Sequence, residues 1–175
     1  FLAAAGDGVV RTCVVRAGRV SRDGLGAPAA HLSLSHDGGA ALVGTLDSTL
    51  RLLDRSSGGL LQSYSGHRNA ALRCASALSH DDAHVLGGSE DGALHVWHLV
   101  DGTRAWHALA AHKGALTSLA SASSRLECLT AGTDGAIRMW SPAKHSSWRV
   151  HARALAPCKG DTLHRTHYTG RTCGK

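Results

Sequence analysis

Glu90-Asp91-Gly92-Ala93-Leu94-His95-Val96-Trp97 is the clearest of four related segments in this sequence. Each segment places an acidic turn at the same distance before the end of an apolar run. The other three are Gly6–Cys13, Leu46–Leu53 and Thr133–Trp140. The turns recur about every 42 residues, and a fixed period in this range indicates a repeat architecture.

Each full repeat has room for four short strands, which we name a to d from the expected axis outward. A period of this length with four strands per unit is typical of a β-propeller, in which each blade is a small antiparallel sheet. The first repeat begins at strand b, so we expect an incomplete ring and interpret the chain as a fragment of a longer protein. The sequence therefore predicts an all-β propeller of about four blades, with approximate boundaries at 1–24, 25–65, 66–110 and 111–143.

The repeat pattern is expected to stop at Pro142, because a proline cannot donate a hydrogen bond to a β-ladder. No strand d is predicted for the fourth blade. Residues 144–175 are basic and poor in apolar residues, so we expect a flexible tail. The alternative for this segment is translated sequence that was joined to the repeats by a misread splice site.

The net charge of +6 belongs to this tail. Basic and acidic residues are equal in number over residues 1–143, whereas residues 144–175 hold seven basic residues and one acidic residue. Direct contact with nucleic acid is therefore expected from the tail or not at all.

The five cysteines form no C-x-x-C pair, which favours a reducing compartment, the cytosol or the nucleus. No apolar run approaches the ~18 residues of a membrane helix, and no membrane contact is expected.

Polar residues at matching positions distinguish the third repeat. His67 precedes strand a, Ser89 ends strand b, Asp91 lies in the b–c turn and Trp97 ends strand c. A buried imidazole needs a partner at both nitrogens, and an aspartate can accept from one of them. A hydroxyl and an indole N–H extend such a network, which would hold the d–a loop against the b–c turn. This arrangement resembles the WD-repeat family, whose blades link these four positions.

The other repeats keep parts of the same set. The retained positions are His112, Asp134 and Trp140 in the fourth repeat, Thr45 and Asp47 in the second, and Asp7 in the first. Gly132 stands where the third repeat has its serine, so a thinner network is expected in the fourth. A set that recurs in part from unit to unit indicates a structural role, and no partner-binding residue follows from it.

Three chemical alternatives use residues of this chain. Ser89, His67 and Asp91 have the residue types of a hydrolase triad, but their partial recurrence argues for architecture, and we predict no catalytic residue, cofactor or metal. Donors that zinc accepts occur in the tail at Cys158, His164, His167 and Cys173, with a spacing that fits no common finger. The tail also interleaves cations with Trp148 and Tyr168, which suits single-stranded RNA, while solvated charge is the favoured interpretation.

The second and third repeats carry a more specific resemblance. The segments concerned are Leu46–Asp54, Ser57–Leu61, Tyr64–Asn69, His84–Gly92 and Trp97–Gly102. They are similar to the mitogen-activated protein kinase organizer group of WD-repeat scaffolds, and the resemblance covers about residues 1–141. It implies part of a seven-bladed ring and a non-catalytic scaffold in cytoplasm and nucleus, which gathers kinase-cascade components and associates with the pre-mRNA splicing machinery. The alternative is a WD-repeat adaptor of another assembly, such as a ubiquitin ligase or a ribosome-biogenesis complex.

Overall fold

The chain folds into four antiparallel sheets that follow one another in sequence order. The computed structural model describes residues 2–143 and 147–151, with side chains through residue 141. Within these residues the only helical element is one 3-10 turn at Val15–Ala17, so none could cross a membrane. The strands are β1 Leu2–Ala4, β2 Val9–Val14, β3 Arg19–Gly24, β4 Ala29–Leu34, β5 Ala40–Thr45, β6 Thr49–Asp54, β7 Leu60–Ser65, β8 Ser76–Leu78, β9 His84–Gly88, β10 Leu94–His98, β11 Arg104–Ala108, β12 Leu116–Ser121, β13 Cys128–Gly132, β14 Ile137–Ala143 and β15 Ser147–His151.

Each sheet is a simple meander and forms one blade. Blade 1 contains β1–β3, blade 2 contains β4–β7, blade 3 contains β8–β11 and blade 4 contains β12–β15. The first strand of blade 3 contacts the first strands of blades 2 and 4, so these three strands line the axis side of an arc of blades. The b–c turns and the d–a loops lie at one end of the blades, the b–c end. The a–b and c–d turns lie at the other end, the a–b end.

The hydrophobic core lies between the blades. Alternate residues of a strand face opposite sides of its sheet, so each inner blade can pack on both neighbours. One cluster joins blade 2 to blade 3, for example Leu50 and Tyr64 to Trp97, and a second joins Leu94 of blade 3 to Trp140 of blade 4. A third cluster joins blades 1 and 2. Blades are therefore fixed to each other by the apolar faces of their central strands.

The fourth blade continues beyond the point at which the sequence predicts its end. β14 runs through Pro142 to Ala143, and β15 pairs with it in the register Trp140↔Val150 to Ala143↔Ser147. The expectation that no strand d follows was wrong. β13 pairs with β14 only as far as Trp140, so Pro142 has a sheet neighbour on one side only. A proline is tolerated at such an edge position because its missing N–H can face the open side. The rest of the predicted tail, 144–146 and 152–175, lies outside the described residues.

Candidate interaction surface

The four turn aspartates make the same local structure in every blade. In each b–c turn the carboxylate Oδ1 accepts a hydrogen bond from the backbone N–H two residues later, at 3.0–3.2 Å. This short loop closure is the reason that an aspartate suits the position. The residues concerned are Asp7, Asp47, Asp91 and Asp134.

An arginine four residues after the aspartate completes this turn in three of the four blades. Arg11, Arg51 and Arg138 lie on strand c and reach back to the aspartate of their own blade at 2.5, 2.6 and 3.0 Å. The hydrogen bond from Arg51 lowers the pKa of Asp47 to about 2. These arginines are not among the residues predicted from the sequence, although an alignment of the four repeats on their aspartates brings them to one position.

The third blade has His95 where the others have this arginine. The imidazole is buried, and it stacks on Trp97 with the ring centroids 5.5 Å apart. Burial lowers the pKa of His95 to about 4, so the ring is neutral at neutral pH. Blade 3 therefore lacks the cation that balances the turn aspartate in the other blades.

A continuous side-chain network lies under the b–c end of blade 4. His112 Nδ1 lies 2.9 Å from Asp134 Oδ1 and 2.6 Å from Nη1 of Arg138. We assign the ring proton to Nδ1, because an ionised carboxylate only accepts and the same Nη1 also donates to Asp134 Oδ2 at 3.0 Å. In the neutral ring Nε2 then accepts from the hydroxyl of Thr130 at 2.8 Å. The indole N–H of Trp140 donates to the same Thr130 oxygen at 2.8 Å. His112, Thr130 and Trp140 are all buried, so each polar atom has its partner inside the protein.

This network also fixes the d–a loop of blade 4. Asp134 Oδ2 accepts the backbone N–H of Lys113 at 3.0 Å, which ties loop 109–115 to the b–c turn. The hydrogen bond from His112 holds the pKa of Asp134 well below its usual range. The sequence predicted a thinner network here because it assigned the hydroxyl position to Gly132. The structure instead supplies the hydroxyl from Thr130, two residues earlier.

The corresponding network does not form in blade 3. His67 is buried, yet within the described part of the chain neither of its ring nitrogens has a hydrogen-bond partner. Its ring packs edge-on against Trp97, with the centroids 5.6 Å apart. Trp97 Nε1 donates to the backbone oxygen of Ser65 at 3.2 Å instead. His67, Ser89, Asp91 and Trp97 are thus neighbours in the fold but are not linked as the sequence predicted.

The residue two positions before the aspartate accounts for the difference between these blades. A Cβ added at Gly132 would lie 2.7 Å from Cγ and Nδ1 of His112, so only glycine leaves room for the hydrogen-bonded ring. Blade 3 has Ser89 at this position, and its hydroxyl is engaged by the backbone of Arg68. The N–H of Arg68 donates to Ser89 Oγ at 2.9 Å, and the hydroxyl lies 3.3 Å from the Arg68 carbonyl.

A glutamate takes over the anchoring of the d–a loop in blade 3. Glu90 Oε1 accepts three successive backbone N–H groups, those of Ala70, Ala71 and Leu72, at 2.7, 2.6 and 2.8 Å. These hydrogen bonds hold the pKa of Glu90 below its usual range. Arg68 Nε lies 3.5 Å from the other carboxylate oxygen. Loop 66–75 is therefore fixed at several backbone points without His67.

Blades 1 and 2 hold the remaining predicted positions. Thr45 donates to Asp47 Oδ1 at 2.6 Å, and Arg51 contacts both of these side chains. Asp7 is paired with Arg11 at the surface of blade 1. These contacts stay within one turn and its strand, so they shape the b–c end without reaching a neighbouring loop.

The hydrolase alternative gains no support from this geometry. Ser89 Oγ accepts the N–H of Arg68 and lies close to the Arg68 carbonyl, and Ser89 makes no hydrogen bond to His67 in the described structure. A serine nucleophile needs a base within hydrogen-bond reach. Among the described residues no group of three or more His, Cys, Asp or Glu side chains could hold a metal ion. The four candidate zinc donors of the tail lie outside the described residues.

Loop 66–75 is the most prominent feature of the b–c end. It is longer than the other described d–a loops, 25–28 and 109–115. Arg68, Leu72 and Arg73 are exposed on it, while Glu90 holds its backbone in place. An ordered loop that displays two cations around an apolar side chain is a candidate surface for a protein partner.

Comparison with known families agrees with the repeats seen in the fold. Residues 58–98 and 104–141 match the family described as "WD domain, G-beta repeat". The fold and these matched repeats define the class: this is a WD-repeat protein, and the described blades are an arc of a WD-repeat β-propeller. The fold class predicted from the repeat spacing is thereby confirmed.

Within that class, the chain is similar to proteins named WD repeat domain-containing protein 83. It is 40% identical to the rat protein over 140 residues, which are 80% of this chain and 44% of that protein. It is 40% identical to the human protein over 126 residues, 72% of this chain and 39% of that protein. The homologue from Dictyostelium discoideum is 29% identical over 138 residues. The chain thus spans less than half the length of these curated relatives.

Two solved structures resemble the arrangement of the blades. "Crystal structure of RRP9 WD40 repeats" superposes with a TM-score of 0.72, at 24% identity, over 85% of this chain and 46% of that chain. "Structure of U3-55K" gives a TM-score of 0.71, also at 24% identity, over 85% of this chain and 47% of that chain. At this identity the likeness establishes the fold alone.

Proposed function

We propose that this chain is part of a non-catalytic adaptor, which brings proteins of mitogen-activated protein kinase signalling and of pre-mRNA splicing into one assembly in cytoplasm and nucleus. The observation that carries the proposal is the similarity to WD repeat domain-containing protein 83 over four fifths of the chain. The segments that resemble the kinase-organizer group, among them Leu46–Asp54 and Tyr64–Asn69, support the same assignment.

The architecture suits an adaptor. Cores between blades make a rigid arc, and the loops at its ends vary in length and composition. Rigid elements that present variable loops are a common basis for protein recognition. The exposed residues of loop 66–75 offer a cationic and apolar contact, which fits an acidic partner segment.

Affinity purification of the endogenously tagged protein, followed by mass spectrometry, tests the assignment. We expect kinase-cascade components, splicing factors or both to be recovered. A variant, Arg73→Glu, reverses the charge of loop 66–75 at an exposed position that takes no part in the Arg68–Glu90 ion pair, and we expect it to lose part of that set at unchanged folding. Recovery of a different complex, such as a ubiquitin ligase or a ribosome-biogenesis assembly, would overturn the kinase and splicing assignment and leave the WD-repeat class intact.

A further inference from the structure

A small pocket lies on the axis side of the arc, at the a–b end and away from the b–c surface. The inner ends of blades 2, 3 and 4 enclose about 160 Å³ between their a–b turns. Its lining includes Leu34 and Leu78, the acidic side chain of Asp82, and Ser121 and Ser123 of blade 4. We call this cavity the axial pocket. It is framed by three blades, so its shape depends on the fold rather than on one loop.

The polar groups of the axial pocket are only partly satisfied. Asp82 Oδ2 accepts the backbone N–H of His36 at 2.8 Å, which ties the a–b turns of blades 2 and 3 together. The other oxygen, Oδ1, is buried and has no hydrogen-bond partner among the described residues. The same holds for Nδ1 of His80, which also lines the pocket. A buried carboxylate oxygen without a donor is costly, so a hydrogen-bond donor that enters the pocket would stabilise it.

The charged residues around the pocket indicate whether a hydrogen-bond donor that binds there is cationic or neutral. Asp37 and Asp81 lie in the same pair of a–b turns and are exposed. Among the described residues no lysine or arginine lines the pocket, although Arg125 is exposed in the a–b turn of blade 4. The titratable lining residues besides Asp82 are His36 and His80. A carboxylate can only accept, so one with acidic residues in the adjacent turns and no cation in the described lining favours a cationic donor over a neutral or anionic one.

We propose that the axial pocket binds a lysine or arginine side chain from a protein partner, with Asp82 Oδ1 as the acceptor and Leu34 and Leu78 packed against the aliphatic stem. The volume of about 160 Å³ is enough for one long side chain. Long cationic side chains bury their methylene stems on apolar surfaces while the charged end finds a polar partner. The proposal rests on the adaptor function above in taking a protein as the partner, but its chemistry is independent of which assembly that partner belongs to.

Direct binding of short probe peptides to the full chain tests the proposal. The probes are fluorescein-labelled Gly-Ser-X-Ser-Gly amides in which X is arginine, lysine, citrulline or norleucine, and the readout is fluorescence anisotropy. We expect the arginine or the lysine peptide to bind at least about tenfold more tightly than its neutral counterpart. Equal binding of charged and neutral peptides, or no binding of any of them, would overturn the proposal.

Asp82→Asn removes the proposed carboxylate acceptor while it keeps the hydrogen bond to His36 within the fold. The asparagine carbonyl can still accept the N–H of His36, while the amide places a donor toward the cation. We expect this variant to lose about tenfold in affinity for the charged peptide. Asp101→Asn, an exposed site in the c–d turn of blade 3, is the matched control and should bind as the unaltered chain does. An unchanged affinity of Asp82→Asn would contradict the assignment.

A lysine introduced beside the pocket gives a second test, which measures thermal unfolding and needs no partner. Ser123 is exposed and lines the pocket, whereas Ser124 is exposed in the same turn but does not line it. We expect Ser123→Lys to raise the thermal unfolding midpoint relative to Ser124→Lys, and Asp82→Asn to cancel the gain. Equal midpoints for the two lysine variants would count against the pocket. Both readouts use purified chain, so they can fail or succeed whether or not affinity purification recovers kinase or splicing proteins.

Discussion

Blades 3 and 4 anchor their d–a loops to their b–c turns with different side chains. In blade 4 a buried chain of hydrogen bonds runs from Asp134 through His112 and Thr130 to Trp140. In blade 3 the equivalent histidine, His67, has no hydrogen-bond partner among the described residues, and Glu90 holds the loop by three backbone N–H groups. Similar sequence signatures can therefore conceal different ways of stabilising the same junction.

The largest expected effect is a difference in unfolding free energy between variants of His112 and of His67. His112→Phe removes two buried hydrogen bonds, one of them to a carboxylate, and should lower the free energy of unfolding by about 2–4 kcal/mol. His67→Phe replaces a ring that makes no hydrogen bond in the described structure and packs on Trp97, so its cost should stay below about 1 kcal/mol. Equilibrium urea unfolding of both variants checks the difference, and equal losses would contradict it.

Gly132→Ser gives blade 4 the residue of blade 3. The added Cβ would overlap the ring of His112 and push it away from Asp134, so we expect a loss of about 1–3 kcal/mol in unfolding free energy. Gly24→Ser is the control, because an added Cβ there meets no atom within 4 Å. If both variants unfold at the same urea concentration, the steric explanation for the two blades is wrong.

Glu90→Ala tests the anchor of blade 3. It leaves three backbone N–H groups of loop 66–75 without their acceptor, and we expect a loss of about 1–2 kcal/mol in unfolding free energy. The released loop should also become sensitive to trypsin at Arg68 and Arg73, which flank the anchored residues. Glu127→Ala, at the a–b end of blade 4, should leave the cleavage rate unchanged. Slow cleavage in both variants would show that another contact holds the loop.

The last expected effect is a pH dependence that belongs to blade 3 and appears only below neutral pH. Burial lowers the pKa of His67 to about 4, whereas the unfolded value is close to 6.5. Between these values the unfolded chain binds the proton and the folded chain does not, so stability falls as the pH falls from 6.5 to 4. The slope due to one histidine is at most about 1.4 kcal/mol per pH unit.

Urea unfolding between pH 7 and pH 4 measures this slope. His67→Phe should reduce it, because the residue that takes up the proton on unfolding is gone. His36→Gln, an exposed histidine at the a–b end, is the control and should retain the slope. A slope unchanged in His67→Phe would mean that another group, such as His95, dominates the pH dependence.

The strands and the blade order could be predicted from the sequence, because turn residues and apolar alternation repeat with the period of the fold. The acidic turns that define the repeat separate consecutive strands, for example Asp47 between β5 and β6 and Asp91 between β9 and β10. β15 was not predicted, because a proline would end a strand that pairs with neighbours on both sides. In the structure Pro142 has one neighbouring strand.

The partners of the site residues could not be predicted as well. Residue types identified His112, Asp134 and Trp140 as a set, but the hydroxyl that joins them depends on which side chain of β13 faces the neighbouring blade. Thr130 faces inward, and Gly132 supplies space rather than a hydrogen bond. Steric room of this kind is decided by three-dimensional packing, so spacing along the chain cannot reveal it.

Long-range proton–nitrogen NMR correlation of the histidine rings at pH 7 tests the central claim most directly. The account predicts that His112 is protonated at Nδ1, with a downfield proton hydrogen-bonded to Asp134, and that His67 shows no such proton. A downfield, hydrogen-bonded Nδ1 proton on His67 and none on His112 would contradict the account and restore the assignment made from sequence.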